Sequence, residues 1–284
     1  MLARVVMQED LNFLLTNRIP RRLATKLVGR LSKIEQPLVA RSSIALWKLF
    51  SDVDLSDAAE ERYSSMHACF TRALRPGARA FDPDTTVLAS PSDAIFGAHG
   101  RIEGGEVHQI KGFPYSLAEL LGDGDLAARY AGGTYATLRL TAGMYHRFHA
   151  PADLIVKEVR YISGDCWNVN PIALKRVERL FCRNERAVIR AELAGGTEIL
   201  LVPVAAILVA GIRLSFLDTP ALLREGGDRR VALSASLARG EEMGWFEHGS
   251  TIVVVAPAGL RVAGDLATGD RIKAGRRLLV RTEG

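Results

Sequence analysis

Tyr135-Ala136-Thr137-Leu138-Arg139-Leu140-Thr141 carries the first decision about the fold. Ala136, Leu138 and Leu140 alternate with Thr137, Arg139 and Thr141, the period of a half-buried β-strand. Working outward, Gly, Pro and Asp punctuate short apolar runs from Arg75 onward. Thr86–Ala89, Ala187–Leu193, Glu198–Val204, Thr251–Ala256 and Arg277–Arg281 each read as a strand, while Leu117–Leu121 and Pro220–Arg224 read as short helices. The acidic stretch from Asp52 to Arg62 reads as another helix, with Ser56 as its N-cap. No internal repeat, low-complexity tract or long linker interrupts the chain. The expected architecture is α+β: N-terminal amphipathic helices over residues 1–75, then a strand-rich body of mostly antiparallel sheet over 76–284.

The 284 residues are 48% apolar and 24% charged, enough to build a core and too apolar for disorder. Cys69, Cys166 and Cys182 are too few for a disulfide scaffold and read as reduced residues. The longest apolar run, Ile199 to Ile212, carries Pro203 and falls short of the roughly 20 residues a spanning helix needs. The N-terminus lacks a basic segment followed by an apolar signal core, so secretion is not expected. Net charge is +5, yet residues 1–50 hold nine Lys or Arg against three Asp or Glu, and the rest of the chain is nearly balanced. A basic excess confined to one end argues against a nucleic-acid-binding body.

That basic end is amphipathic. Leu23, Leu27, Val28, Leu31 and Ile34 share one helical face, and Arg22, Lys26, Arg30 and Lys33 form a stripe beside it. After Pro37, Val39, Leu46, Trp47 and Phe50 come together on a second helix. Helices packed on the body with solvated basic faces would show this pattern, and so would helices lying in the surface of an anionic membrane. The two readings are compatible.

Three places carry candidate chemistry. Met144 to Pro151 contains His146 and His149 with Tyr145 and Arg147; a turn there would set both rings at the rim of a cleft suited to an anionic ligand. A metal site is not expected, because no third ligand is spaced to complete it. Asp93, in Pro91-Ser92-Asp93, reads by itself as a turn aspartate. Finally, Gly249-Ser250-Thr251 runs into Ile252-Val253-Val254-Val255. Gly249 can take backbone angles closed to other residues, and Ser250 heads a stiff β-branched strand. Strain there would present the Gly249 carbonyl to the neighbouring hydroxyl.

Taken in order, these segments resemble the phosphatidylserine decarboxylase family. Phe70-x-Arg72-x-Leu74-x-Pro76-x-x-Arg79 is similar to the family's lead into its body, and Pro91-Ser92-Asp93 to its aspartate motif. Lys111-Gly112-Phe113-Pro114-Tyr115-Ser116-Leu117 with Leu120-Leu121-Gly122 resembles its KG-x-x-YSL-x-x-LLG stretch. Tyr145-His146-Arg147-x-His149-x-Pro151 matches its YHR-x-H-x-P motif. Asn184-Glu185-Arg186 precedes paired strands, and Glu241-x-x-Gly244-x-Phe246-x-x-Gly249-Ser250-Thr251 resembles its self-cleavage site. Three positions depart from the pattern: Ser92, Ala94 where glycine is usual, and His248 before Gly249.

The resemblance implies a prosthetic group made from the chain. Ser250 would attack the Gly249 carbonyl, and elimination and hydrolysis would leave a pyruvoyl group on residue 250, with pieces 1–249 and 250–284 remaining associated. His149 would take the serine proton while Asp93 orients its imidazole, a triad turned on its own backbone. The pyruvoyl ketone would condense with the amine of phosphatidylserine and accept the electrons left when CO2 departs, giving phosphatidylethanolamine. His146 would reprotonate the α-carbon, with His149 as second choice. A homo-oligomer, peripheral on the cytoplasmic side of the cell membrane, is expected. The rival readings are a pyruvoyl decarboxylase of a soluble amino-acid-like substrate, a serine hydrolase using Asp93, His149 and Ser250, and a membrane-binding module that never matures.

Overall fold

The computed structural model describes residues 20–110, 113–206, 211–247 and 250–282. Helices α1 (Arg21–Leu31), α2 (Pro37–Phe50) and α3 (Met66–Phe70) come first. Strands follow as β1 (Val87–Ala89), β2 (Ala94–Arg101), β3 (Glu106–Ile110) and β4 (Phe113–Ser116). The short helices α4 (Leu117–Leu121) and α5 (Gly124–Ala128) precede β5 (Thr134–Leu140), β6 (Arg147–His149) and β7 (Leu154–Ile162). Helices α6 (Pro171–Arg176) and α7 (Leu180–Arg183) lead to β8 (Arg186–Leu193), β9 (Glu198–Ala205) and β10 (Ile212–Leu214). After α8 (Thr219–Glu225) come β11 (Asp228–Leu237), β12 (Glu242–Phe246), β13 (Ser250–Ala256), β14 (Leu260–Val262), β15 (Arg271–Ile272) and β16 (Arg277–Arg281).

The body is a fully antiparallel eight-stranded sheet in the order β11-β7-β8-β9-β13-β5-β2-β15. Smaller sheets β1-β16-β14, β10-β12-β6 and β3-β4 surround it. Both faces of the large sheet are covered, and β13 shows why its sequence is an unbroken apolar run. Ile252 and Val254 enter one core with Phe96, Leu138, Phe148 and Phe246. Val253 and Val255 enter the other with Tyr115, Tyr130, Tyr135 and Phe181. Each such side chain contributes about 1.5–3 kcal/mol by leaving water.

Coverage of both faces corrects one expectation. The strand that alternates Ala136, Leu138 and Leu140 with Thr137 and Arg139 is β5, but only Arg139 within it is partly exposed. A threonine methyl packs as well as a small apolar side chain, so polar alternation overstates solvent contact. The helix expected over 52–62 is absent as well. Asp54 caps the Ser56 N–H at 2.8 Å, and Ala59 and Arg75 exchange backbone bonds across that segment with Ala73 and Asp57. Local Asp and Ser side chains thus win the backbone away from helix. The helix forms later, as α3, where the Ser65 hydroxyl caps the Ala68 N–H.

A third, small core of Trp47, Cys69 and Phe70 joins α2 to α3, with Ile44, Leu55 and Tyr63 around it. The Ser32 carbonyl accepts the His67 N–H at 2.8 Å, tying the end of α1 to the same unit. Outside this core the two long helices leave apolar surface uncovered: Leu23, Leu27, Leu31, Leu38, Leu46, Leu49 and Phe50 are all at least half exposed. Among the described residues every exposed large apolar side chain lies between Leu23 and Phe50.

Candidate active site

Ser250 is the first residue of β13, flanked by Leu140 on β5 and Ala205 on β9 in the middle of the large sheet. Its side chain is fully buried, and its hydroxyl finds no hydrogen-bond partner among the described residues. An unpaired buried hydroxyl costs about 1–3 kcal/mol, so the fold holds this oxygen at an energetic disadvantage. Gly249 and His248, named from the sequence, lie outside the described residues.

The strand leading to that point is β12, paired with β6 so that Glu242 faces His149, and Trp245 faces Arg147. Gly244 is required here, because a Cβ would collide with the Arg213 carbonyl of β10. The Phe246 N–H donates to the His146 carbonyl at 3.0 Å, and the His149 N–H to the Pro91 carbonyl at 2.8 Å. Backbone bonds therefore lace together the strand that leads to the serine, the two-histidine segment and the aspartate turn.

His149 is held at both ring nitrogens. Nδ1 lies 3.0 Å from the Gly240 carbonyl, which can only accept, so Nδ1 carries the proton. Nε2 consequently accepts from the Tyr145 hydroxyl at 3.0 Å, with the two rings stacked. Burial pushes the imidazole pKa below its ordinary value, against the raising pull of Gly240, Glu242 and Asp93. The ring is thus a neutral base near pH 7.

Asp93 occupies a different hydrogen-bond network from the one the resemblance implied. Its carboxylate takes a two-pronged bond from Arg79, at 2.8 Å from Nε and 2.5 Å from Nη2, and the Ala274 N–H at 2.9 Å. Arg79 also reaches Asp57 at 2.8 Å. No hydrogen bond joins Asp93 to His149, or His149 to Ser250, among the described residues. The His149 and Asp93 segments are tied by a backbone bond rather than closed into a triad with Ser250, an arrangement compatible with a resting site whose catalytic bonds form late. Ala94 has an ordinary negative φ and pairs with Ile272, so its extra methyl introduces no backbone strain.

His146 corrects the picture of two rings on a rim. Arg147–His149 is a strand, and His146, just before it, is completely buried. Its Nδ1 donates to the Met144 carbonyl at 2.8 Å, and its ring lies 3.9 Å from that of Phe70. Phe70 in turn lies 5.6 Å from Trp47 of α2. Arg147 fixes the segment from the other side, donating to the Thr71 carbonyl and pairing with Glu242 at 2.8 Å.

A charged knot ahead of the serine has no local signal in the sequence. Glu247 accepts from Arg213 Nε and Nη2 at 3.1 and 3.0 Å, with Lys33 at 3.6 Å and His67 at 3.9 Å. It anchors the chain two residues ahead of Gly249 to both β10 and the helical unit. The roles of Tyr145 and Arg79 were also missed, although both stand inside quoted motifs. Their partners are set by tertiary placement, to which spacing is blind.

Comparison with known proteins fixes the class. The sequence profile described as phosphatidylserine decarboxylase matches residues 66–280. The chain is 35% identical over 271 residues to a phosphatidylserine decarboxylase proenzyme of Anaeromyxobacter sp. (strain K), covering 92% of this chain and 94% of the relative. It is similar to the proenzymes of that name from Stenotrophomonas maltophilia (strain R551-3), at 36% over 256 residues, and Xanthomonas euvesicatoria pv. vesicatoria (strain 85-10), at 35% over 276. These alignments cover 87% of this chain and 90% of the relative, and 93% and 96%, respectively. The likeness makes the chain a decarboxylase, a carboxy-lyase. More narrowly, the chain belongs to the phosphatidylserine decarboxylase family.

Proposed function

We propose that the chain cuts itself between Gly249 and Ser250 and then decarboxylates phosphatidylserine to phosphatidylethanolamine and CO2. The observation that carries this is the Ser250 hydroxyl: buried, without a partner among the described residues, at the head of a central strand. In the cut, Oγ forms a bond to the Gly249 carbonyl carbon, the C–N bond breaks, and an ester replaces the amide. Elimination then removes the Cα proton to a base and breaks the bond between Cβ and Oγ, releasing the Gly249 carboxylate; the resulting enamine tautomerises to an imine, and water displaces ammonia and leaves a ketone on residue 250. His149, neutral through burial, is the group to accept the serine proton once its ring turns from the Tyr145 hydroxyl. Asp93, bound by Arg79, holds the Pro91–Asp93 turn to which the His149 backbone is tied.

Ser250 pairs across the sheet with Leu140 and Ala205, small or apolar neighbours that fit a planar keto group. That pyruvoyl group supplies an electron sink for the bond lost with CO2. His146 keeps its Nδ1 proton on the Met144 carbonyl, so Nε2, after taking up a proton, is the nitrogen that returns one to the product carbon. Exclusion of water around His146 and Ser250, both fully buried, favours loss of a charged carboxylate.

A lipid substrate is supported by the exposed apolar surface, which among the described residues lies within Leu23–Phe50, with Arg30, Lys33, Arg41 and Lys48 near it. Such helices lie in an interface, and their basic residues suit an anionic cytoplasmic leaflet. The same surface disfavours a soluble amino-acid-like substrate. Intact-mass spectrometry of the purified chain is the direct test. Pieces 1–249 and 250–284, the second bearing a keto terminus, are expected, and Ser250→Ala stays whole. His146→Ala is expected to cut itself and yet release no CO2. An unbroken chain with serine at position 250 overturns the reading.

A further inference from the structure

On the face of the large sheet opposite the Ser250 side chain, a cavity of about 590 Å³ lies between β2 and β5 and helices α6 and α7. Its wall includes Ile95, Leu174 and Phe181, and into it come Thr137 and Arg139 of β5. Arg139 is a cross-strand partner of Thr251, the residue directly after Ser250. The guanidinium forms no ion pair or hydrogen bond with any described residue; Glu103, which also lines the cavity, does not reach it. The hydroxyls of Thr137 and Thr251 are buried on that face and likewise lack partners among the described residues. Burial depresses the Arg139 pKa with no neighbouring carboxylate to offset it. Two donors in a largely apolar cavity, Arg139 and Thr137, without acceptors among the described residues and one of them a cation, are the complement of an anion carried by an apolar molecule.

We propose that this cavity takes the phosphodiester of the lipid headgroup, with Arg139 as its main ligand and Thr137 beside it, a subsite that rests on the substrate reading above. The substrate has two anionic groups, and chemistry selects between them. A guanidinium on the reacting carboxylate would stabilise it against loss of CO2. On the phosphodiester, which does not change charge, it holds ground state and transition state alike. The phosphodiester lies only a few bonds from the reacting amine, and Arg139 pairs across the sheet with Thr251, one residue past the reactive end of β13. Arg supplies the two-pronged geometry that phosphate oxygens accept.

Binding to full-length Ser250→Ala, measured by calorimetry, tests this independently of catalysis; intact mass of the unaltered chain separately judges self-cleavage. The probes are dihexanoyl phosphatidylserine, dihexanoyl phosphatidylethanolamine and dihexanoylglycerol. Adding R139Q is expected to weaken both phospholipids tenfold or more and leave dihexanoylglycerol unaffected. Loss confined to phosphatidylserine would assign Arg139 to the carboxylate and overturn the proposal. Equal affinity with and without R139Q, or no phospholipid binding to the chain that keeps Arg139, also overturns it. If R139Q does not fold, R139K removes the fork while keeping the charge: a several-fold loss for both phospholipids is expected, and no loss refutes the assignment.

Discussion

The rings of Phe70 and His146 lie 3.9 Å apart, centroid to centroid, and tilted by 35°. One belongs to the helical unit, the other to the candidate site. Because Phe70 also packs on Trp47 of α2, one aromatic stack runs from the helix bearing the exposed apolar surface to the buried imidazole. The helical unit is therefore part of the wall of the site.

Removing that wall has a calculable effect. Phe70→Ala empties a fully enclosed position and is expected to lower stability by about 3 kcal/mol, as for other buried phenylalanines. With His146 loosened, CO2 release should fall at least tenfold while self-cleavage still reaches completion. Denaturant titration, a gel and a CO2 assay read the three quantities. Full decarboxylation activity in a folded Phe70→Ala chain would separate the helical unit from the chemistry.

The depressed pKa of His149 fixes a direction for pH. Self-cleavage requires the neutral ring, so its rate should fall by half at a pH below the ordinary histidine value rather than at it. Stability follows the same sign. Between the unfolded value, about 6.5, and the lower folded one, the unfolded chain binds more protons, so stability falls as pH drops through that window. His67, also lowered chiefly by burial, adds to the slope. His149→Gln should flatten it in part, measured as unfolding free energy against pH; an unchanged slope would place the proton uptake elsewhere.

The Arg79–Asp93 pair is nearly enclosed, with side chains 10% and 13% exposed. Arg79→Met leaves the carboxylate without its cation and is expected to cost about 3 kcal/mol or more. Asp93→Asn in the same chain should recover part of that loss, and the double-mutant cycle measures the coupling. Additive effects would mean that the two-pronged contact contributes nothing.

Much of this architecture was legible because its signals are local. β13 is a stiff apolar run and β16 coincides with the expected Arg277–Arg281, since strand period and turn residues act over a few positions. Ordered motifs brought Asp93, His146, His149 and Ser250 to notice. Contacts between distant parts of the chain were not legible. Nothing near Asp93 announces Arg79, nothing in Met144–Pro151 announces Phe70, and the Asp52–Arg62 stretch has helix-like composition but spends its polar groups on turns.

Glu247 gives a test of how the cleavage segment is held. Glu247→Ala removes the acceptor for Arg213, Lys33 and His67 at once, two residues ahead of Gly249. Release of this anchor should slow self-cleavage several-fold without abolishing it, followed on a gel after synthesis is stopped. Asp, one methylene shorter, should recover less than Gln, which keeps the reach to Arg213 while losing the charge. Cleavage at the original rate in Glu247→Ala would make the knot a stability feature alone.

Leu27 and Leu49 are 50% and 79% exposed, on α1 and α2. Neither packs on the body, so Leu27→Glu and Leu49→Glu should each change stability by no more than about 0.5 kcal/mol. At a membrane the same changes remove apolar area from the acyl boundary and place a negative charge against anionic lipid. Flotation with vesicles containing phosphatidylserine should therefore show binding reduced about tenfold per substitution, a difference of about 1.4 kcal/mol. Raising salt should weaken the unaltered chain further through Arg30, Lys33, Arg41 and Lys48, because screening acts on the charges and leaves apolar insertion in place. Unchanged flotation in the double variant would mean that this surface packs against protein rather than lipid, and the lipid-facing role of the helices would fall.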